Sequence, residues 1–381
     1  MSQVFVFGTA TQGINFTDRE SETKRLCANF RNGVNTILIS PRRWGKTSLV
    51  RKASSIINSK KEKIIIASID AFMYRTEEDF ITQFSSEIIR QSSTKWEDWV
   101  ENAKRFLSRV SPKISMGTDP YNDFSISFDM KSDKESQMDI LNLPQKIAEE
   151  KNCQYVICID EFQQVADFKE AISFQKKLRS VWQLQDRVTY CLYGSKMHIL
   201  SKMFSKQSMP FYKFGDILFL QKIDEKDWMP YICSRFRESG KSISELLAKK
   251  ICQTVENHSS YVQQLAWLVW ARTEKKASEK ELNEATEDLI NQNGNLFYSI
   301  TENLTAHHLN FLKAIAEGVE KEFTRNEIIN KYNFGTSANV SRIKKSLEKK
   351  EIVDITGKNV TLIDPVFKIW LRREMNISKS L

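Results

Sequence analysis

The sequence predicts an α/β fold, a parallel sheet wrapped in helices, followed by a helical block and then by three helices and a β-hairpin. Three observations carry this expectation. Short apolar runs at residues 36–39, 63–70, 154–160, 188–195 and 217–220 alternate with helical stretches through the first 222 residues, which is the pattern of βαβ units. From Asp224 onward helical periodicity takes over. Residues 353–362 then spell two short strands around Gly357, behind three helical segments, the order of a winged helix-turn-helix.

The chain organises around Ile37-Leu38-Ile39-Ser40-Pro41-Arg42-Arg43-Trp44-Gly45-Lys46-Thr47-Ser48-Leu49-Val50. An apolar run reads as a buried strand, Lys46 onward reads as a helix, and the loop between them ends in Gly-Lys-Thr. This is the strand–loop–helix of Walker A. Loop amides from Ser40 to Ser48 and the positive end of the helix supply donors to a polyphosphate. Gly45 keeps a Cβ out of the way. Lys46 would reach the β/γ-phosphates and the Thr47 hydroxyl would ligate Mg²⁺. The pattern asks for Gly at position 40, and this chain has Ser40.

A second signal follows about a hundred residues later. Gln154-Tyr155-Val156-Ile157-Cys158-Ile159-Asp160-Glu161-Phe162-Gln163 is an apolar run ending in two carboxylates, as when a buried parallel strand delivers acids to its C-terminal edge. Asp160 would hold Mg²⁺ and Glu161 would polarise the attacking water. The two motifs together predict ATP and Mg²⁺ as ligands.

The first helix is expected after Phe16, capped by Thr17 or Asp18 with acids in its first turn. Residues 77–91 read as a helix with Phe80, Phe84 and Ile88 on one face. Residues 111–130 alternate apolar and polar around Thr118-Asp119-Pro120-Tyr121-Asn122-Asp123, which predicts a β-hairpin inserted on the surface of the core. Residues 174–184 form the helix before the strand that ends in Gly194-Ser195. Further on, residues 228–236, 246–256 and 261–268 are helical, with Gly240 ending the first of them. Residues 278–295, finishing in Asn-Gly-Asn, read as a helix and a linker. The last unit has a helix bearing Leu309, Leu312 and Ile315, a second capped by Thr324, and a third over 338–350. The expected domains are thus 1–222, 223–295 and 300–381.

At 381 residues, 41% hydrophobic and 28% charged, the chain has the composition of a soluble protein with two or three cores. No apolar run reaches the length of a membrane span, so no membrane partner is expected. Met1-Ser2-Gln3-Val4 lacks a signal-peptide layout and the six cysteines include no C-x-x-C pair; a cytoplasmic location with reduced thiols is expected. Net charge is +9, which favours polyanionic partners. The third helix of the last unit concentrates Arg342, Lys344, Lys345, Lys349 and Lys350. In a DNA-binding version it would enter the major groove with Lys358 on the wing touching phosphate; the alternative is a protein-docking module.

With these motifs in this order the chain resembles the archaeal-type ATPases, a family related to the STAND branch of AAA+ NTPases and also widespread in bacteria. The resemblance is carried by Pro41-Arg42-Arg43-Trp44-Gly45-Lys46-Thr47, Asp160-Glu161-Phe162-Gln163, Gly194-Ser195 and residues 364–373. It implies an AAA+-like core, a helical lid over 223–295, and ATP binding with slow hydrolysis to ADP and phosphate gating a change in the C-terminal domain. It also implies that Ser195 senses the γ-phosphate, a Gly-Ser turn being the alternative, and that His258 faces the nucleotide from the lid, a helix cap or surface position being the alternative. Asp18-Arg19-Glu20 is similar to the Gly-Arg-Glu that packs near adenine in many ATPases, with Asp replacing Gly, and a charged helix start is the alternative for Arg19. Family members often carry an Arg near residues 210–214 that completes a neighbour's site, implying nucleotide-dependent self-association. Here the nearest basic residue is Lys213. For Arg235 a helical surface position is the default over a γ-phosphate contact.

Overall fold

The computed structural model describes residues 4–11, 13, 16–60, 62–107, 112–115, 117, 119, 123–127 and 134–377. The chain divides into two compact units, one formed by Arg19–Gln221 and the other by Met1–Asp18 with Lys222–Leu381.

In the Arg19–Gln221 unit, strands β1 (Thr36–Ile39), β2 (Ile64–Asp70), β5 (Gln154–Asp160), β6 (Val188–Gly194) and β7 (Asp216–Phe219) form one sheet in the order β2-β5-β6-β1-β7. β3 (Lys113–Ser115) and β4 (Ser125–Ser127) stand apart from it. Every pairing in the large sheet is parallel. β1 and β6 are buried along their whole length, as the unbroken apolar runs require when helices cover both faces. The acid-bearing strand β5 is therefore not the neighbour of β1. β6 lies between them, and its end carries Ser195 into the gap. Two cysteines, Cys158 and Cys191, meet in register across β5 and β6, buried and free.

Beneath the turn after β5 lies an aromatic cluster. Trp182 stacks on Tyr190 at 4.0 Å between ring centres, and Phe162 packs edge-on to Phe211 at 5.5 Å. The described part of the expected hairpin is present, β3 pairing antiparallel with β4 and Ile114 opposite Ile126. Residues 111, 116, 118, 120–122 and 128–130 lie outside the described residues. The hairpin is not a mere surface insertion: Phe124 and Ile126 are buried, and the Ile126 amide donates to Ser86 Oγ on the helix Glu77–Ser92 at 3.0 Å. Helices Trp96–Phe106, Lys134–Leu141 and Leu143–Glu150 fill out this side; none was expected from the sequence.

The first helix, Glu20–Arg31, has no side-chain cap from Thr17 or Asp18. Asp18 and Arg19 both adopt left-handed backbone (φ 56° and 69°). That turn makes Arg19 the residue at the helix start, with Glu20 and Glu22 in the first turn as expected.

In the other unit, helices Glu225–Glu238, Glu245–Thr254 and Ser259–Arg272 lead into one 24-residue helix, Glu279–Glu302. The linker expected near residue 295 is absent. Gly294 is carried inside this helix because Leu289, Ile290 and Phe297 on either side are all buried, and Phe297 packs on Phe367 at 5.1 Å. Helical block and winged helix thus share one hydrophobic core. The start of the chain belongs here and not with the sheet: Phe5 packs on Tyr231 and Phe236, and Phe7 on Trp267. Three helices, Ala306–Ala316, Asn326–Lys331 and Ser337–Lys349, precede the antiparallel pair β8 (Val353–Thr356) and β9 (Asn359–Leu362). Gly357 turns between them at φ 63°. Thr324 is not the cap of the second helix, whose N-cap is Arg325 without a side-chain bond. A closing helix, Pro365–Glu374, capped by Asp364, was not expected.

Candidate nucleotide site

Ser40 to Gly45 connect β1 to the helix Lys46–Ser59, whose N-cap is Gly45 at φ 96°. This left-handed backbone is the conformational reason for glycine at that position. No described non-glycine residue at position 40 is forced into positive φ: Ser40 does not adopt it, whereas Arg43 does at 64°. Serine therefore fits where the motif prefers glycine. Ser40 is buried and its hydroxyl donates to the Pro41 carbonyl at 3.1 Å. Arg42 and Arg43 are exposed, while Trp44 is half-buried.

Lys46 is only 6% exposed. Its ammonium donates to the carbonyls of Ser40 at 3.1 Å and Pro41 at 3.0 Å, folded along the loop. Burial pulls its pKa down to about 8; Glu161 and Asp160 oppose this and the Arg42 charge adds to it. Thr47 Oγ1 donates to Asp160 Oδ2 at 2.8 Å, so the two motifs meet across β6. Burial pushes the Asp160 carboxyl up to about 6; the Thr47 hydrogen bond works against this, and the neighbouring Glu161 charge works with it. Ser48 is buried behind the loop.

Glu161 follows in left-handed backbone at φ 50°. Its carboxylate accepts from Ser195 Oγ at 3.0 Å and from Gln163 Nε2. Ser195 Oγ in turn accepts from Arg42 Nε at 3.3 Å. The structure therefore brings together Lys46, Thr47, Asp160, Glu161, Ser195 and Arg42. Gln163 joins them, although within the motif it carried no expected role of its own. It is 1% exposed and its amide lies against Gly194, where an added Cβ would stand 1.8 Å from Oε1. A polar residue two positions after the acid was the available signal; its partner glycine is thirty-one positions away in sequence.

Two expected site residues, Arg19 and His258, have partners within their own units. Arg19 is buried, donating to Glu22 Oε1 at 2.8 Å and to the Gln221 carbonyl at 2.5 Å, which ties the first residue of this unit to its last. His258 belongs to the other unit, where it is the N-cap of Ser259–Arg272 and packs on Tyr261 at 4.8 Å. Arg235, expected on a helix surface, is buried there, paired with Glu238 and over the Tyr231 ring. Lys213 sits over the Tyr212 ring at 5.5 Å.

In the winged helix, Arg342, Lys345 and Lys349 are exposed on one face of Ser337–Lys349, the spacing of i, i+3 and i+7. Lys358 is exposed beside Gly357. Lys344 differs, half-buried with its ammonium 4.8 Å over the Phe323 ring and its pKa lowered by burial. Among the described residues no helix is long and apolar enough to cross a membrane.

Comparison with known proteins agrees with this division. Residues 44–207 match the family described as "KAP family P-loop domain", and residues 295–373 match "Probable winged helix domain". No curated protein matches. The fold is similar to the Walker-type ATPase paby2304 of Pyrococcus abyssi, with a TM-score of 0.69 at 16% identity over 97% of this chain and 100% of that one. It is also similar to the Aeropyrum pernix ORC2 protein in its ADPNP-ADP complexes, with a TM-score of 0.60 at 16% identity over 98% of each chain. By its motifs, its five-stranded parallel sheet and these matches, the chain carries a P-loop NTPase domain over residues 44–207 and a winged helix domain over 295–373, in a fold similar to that of archaeal Walker-type ATPases.

Proposed function

We propose that this protein is a Mg²⁺-dependent ATP-binding switch of the AAA+ and STAND kind that hydrolyses ATP slowly to ADP and phosphate and couples the nucleotide state to its winged helix domain. The observation that carries the reading is the 2.8 Å hydrogen bond between Thr47 Oγ1 and Asp160 Oδ2, a hydroxyl and a carboxylate from two distant motifs side by side at the head of the P-loop helix. The donor set fits a hard cation: two oxygens, one on a carboxyl whose pKa burial raises to about 6. Mg²⁺ takes one or two protein oxygens and fills the rest of its octahedron with phosphate and water. Thr47 and Asp160 would hold it, and it would supply charge neutralisation on the phosphates.

The chain's own groups then have distinct tasks. Lys46 moves from the Ser40 and Pro41 carbonyls to phosphate oxygens, which are the stronger acceptors. Loop amides bind the β-phosphate region at the helix start. Glu161 orients a water and takes its proton, and Ser195 and Gln163 keep that carboxylate in place. Purified protein is expected to release phosphate from Mg·ATP, and Lys46→Ala to abolish both binding and release. Glu161→Gln is expected to keep binding and slow turnover by roughly a hundredfold. Absence of any ATP affinity in the presence of Mg²⁺ overturns the reading.

A second reading, a nucleotide-gated DNA-binding regulator with little turnover, is favoured by the exposed row of Arg342, Lys345 and Lys349 with Lys358 on the wing. Such a row suits phosphate contacts flanking a groove. A winged helix that docks protein remains the competing use of the same surface, and a cytoplasmic setting suits both.

A further inference from the structure

We propose a second ligand site, one for a diphosphate group, at the edge of the parallel sheet opposite the P-loop. A cavity of about 440 Å³ opens there, walled by residues that precede or begin β2, β5 and β6. That volume lies in the range of small-molecule sites. β5 runs from this cavity to Asp160, seven residues at about 3.3 Å each, so roughly 20 Å separates it from the nucleotide site.

The charge on the walls is unbalanced. Arg31 and Glu62 neutralise one another: the guanidinium donates from Nε at 2.9 Å and from Nη2 at 2.8 Å to the Glu62 carboxylate. Among the described residues neither Lys63 nor Arg187 meets a carboxylate. Lys63 is exposed, and Arg187, half-buried, donates from Nη1 to the neutral Asn152 Oδ1 at 3.1 Å. Two net positive charges therefore border a cavity whose apolar part is Ile64 and the buried Cys153.

The sheet fixes where those two cations stand. The Gln154 amide donates to the Lys63 carbonyl at 2.9 Å, and the Tyr155 amide to the Arg187 carbonyl at 2.8 Å. Lys63 leads into β2 and Arg187 into β6, the two neighbours of β5. Their backbones are thus two strand spacings apart, about 10 Å. Long side chains starting at that separation converge on a ligand with two anionic groups. The guanidinium fork matches two oxygens of one phosphoryl group, and the ammonium acts as a point charge on the next. Asn152 Nδ2 and the half-buried Gln154 amide are neutral donors for the remaining oxygens. A single carboxylate would leave one cation unanswered, whereas a diphosphate meets both.

The test uses full-length Lys46→Ala, so that the P-loop does not compete for the probe. Inorganic pyrophosphate, orthophosphate, succinate and ADP are titrated calorimetrically at low salt without Mg²⁺, where exposed charges are least screened. The same titrations are made with Lys63→Ala, Arg187→Lys, or both added. One pyrophosphate per chain is expected, bound about tenfold or more tighter than orthophosphate or succinate. Lys63→Ala and Arg187→Lys should each weaken it about tenfold, the second by removing the fork while keeping the charge. The thermal midpoint without ligand checks that the variants fold. ADP binding at least as tightly as pyrophosphate identifies a nucleotide as the source of the diphosphate, and weaker ADP binding identifies a free diphosphate. No pyrophosphate binding, an affinity unchanged in the double variant, or a loss caused instead by Arg342→Glu with Lys345→Glu overturns the inference. Succinate binding as tightly as pyrophosphate overturns the phosphate assignment. ATP binding by the otherwise wild-type Lys63→Ala protein should be unchanged, so failure here leaves the nucleotide reading intact.

Discussion

Gln163 fills the space that a side chain on Gly194 would need: a Cβ there would lie 1.8 Å from Gln163 Oε1 and 3.3 Å from Glu161 Cα. The same amide donates to Glu161 through its nitrogen. The glycine at the end of β6 is therefore a condition for the position of the acid at the end of β5. Gly194→Ala must push out either the Gln163 side chain or the backbone at Glu161. Turnover is expected to fall about tenfold or more with ATP affinity little changed, at a stability cost of about 1–3 kcal/mol for overpacking. Single-turnover phosphate release beside equilibrium binding measures both parts.

Thr47 and Asp160 share one hydrogen bond, and the hydroxyl is the part that matters. Thr47→Ser should retain Mg²⁺-dependent nucleotide affinity within a few-fold. Thr47→Ala should lose most of the increment that Mg²⁺ adds, about tenfold or more, while binding of free nucleotide without Mg²⁺ is little affected. Titrations with and without Mg²⁺ separate the two.

Lys46 carries a pKa drawn down to about 8 by burial. It is charged at pH 7 and loses its proton as the pH rises past that value. Binding of ADP without Mg²⁺ should be flat below pH 7 and weaken above about pH 8, approaching tenfold per pH unit, because the phosphate then has to recover the proton. An affinity that stays flat to pH 9.5 would show that the lysine does not face the phosphates.

Asp160 runs the other way, its carboxyl raised from 3.8 to about 6. Below the unfolded value both states are protonated and the group costs nothing. Between that value and about 6 the folded state binds more protons, so stability declines with rising pH, and above about 6 the full cost is present. Asp160→Asn, which keeps an acceptor for Thr47, should therefore raise metal-free stability by about 1–3 kcal/mol at pH 8. That gain should shrink as the pH falls from 6 towards 4. Denaturant melts at pH 4.5 and pH 8 check the sign.

On the winged helix, the structure separates lysines that look equivalent in sequence. Arg342 and Lys345 are exposed, whereas Lys344 is half-buried over Phe323. If the surface binds duplex DNA, reversing Arg342 and Lys345 to Glu should weaken association and reduce the salt slope by about one per lost phosphate contact. Lys344→Met should change folding stability more than DNA affinity. No association at low salt, with or without ATP, would remove the DNA reading and leave protein docking.

The parts that were legible in sequence are those written in consecutive residues. The loop from Ser40 to Ser48, the acids at the end of β5, and the hairpin around Gly357 follow local rules of period, charge and turn chemistry. What depends on distant partners was not legible. Nothing near Gly194 announces that Gln163 will occupy its missing side chain, and nothing near Asp160 says that β6 will come between it and the P-loop. Asn293-Gly294-Asn295 reads as a break because glycine weakens helices, yet the buried residues around it outweigh that local cost. The first eighteen residues were assigned to the sheet by adjacency alone, while Phe5 and Phe7 find their aromatic partners more than two hundred positions downstream.

The unbroken helix Glu279–Glu302 has a mechanical corollary. At about 1.5 Å per residue it is a rod of about 36 Å, with Leu282 and Ala285 seated in the helical block and Phe297 wedged against Phe367 and Trp370. A rod anchored at both ends has no slack to absorb a tilt. Whatever turns its first half must swing the far half through the same angle, so the winged helix answers as a pointer fixed to its shaft.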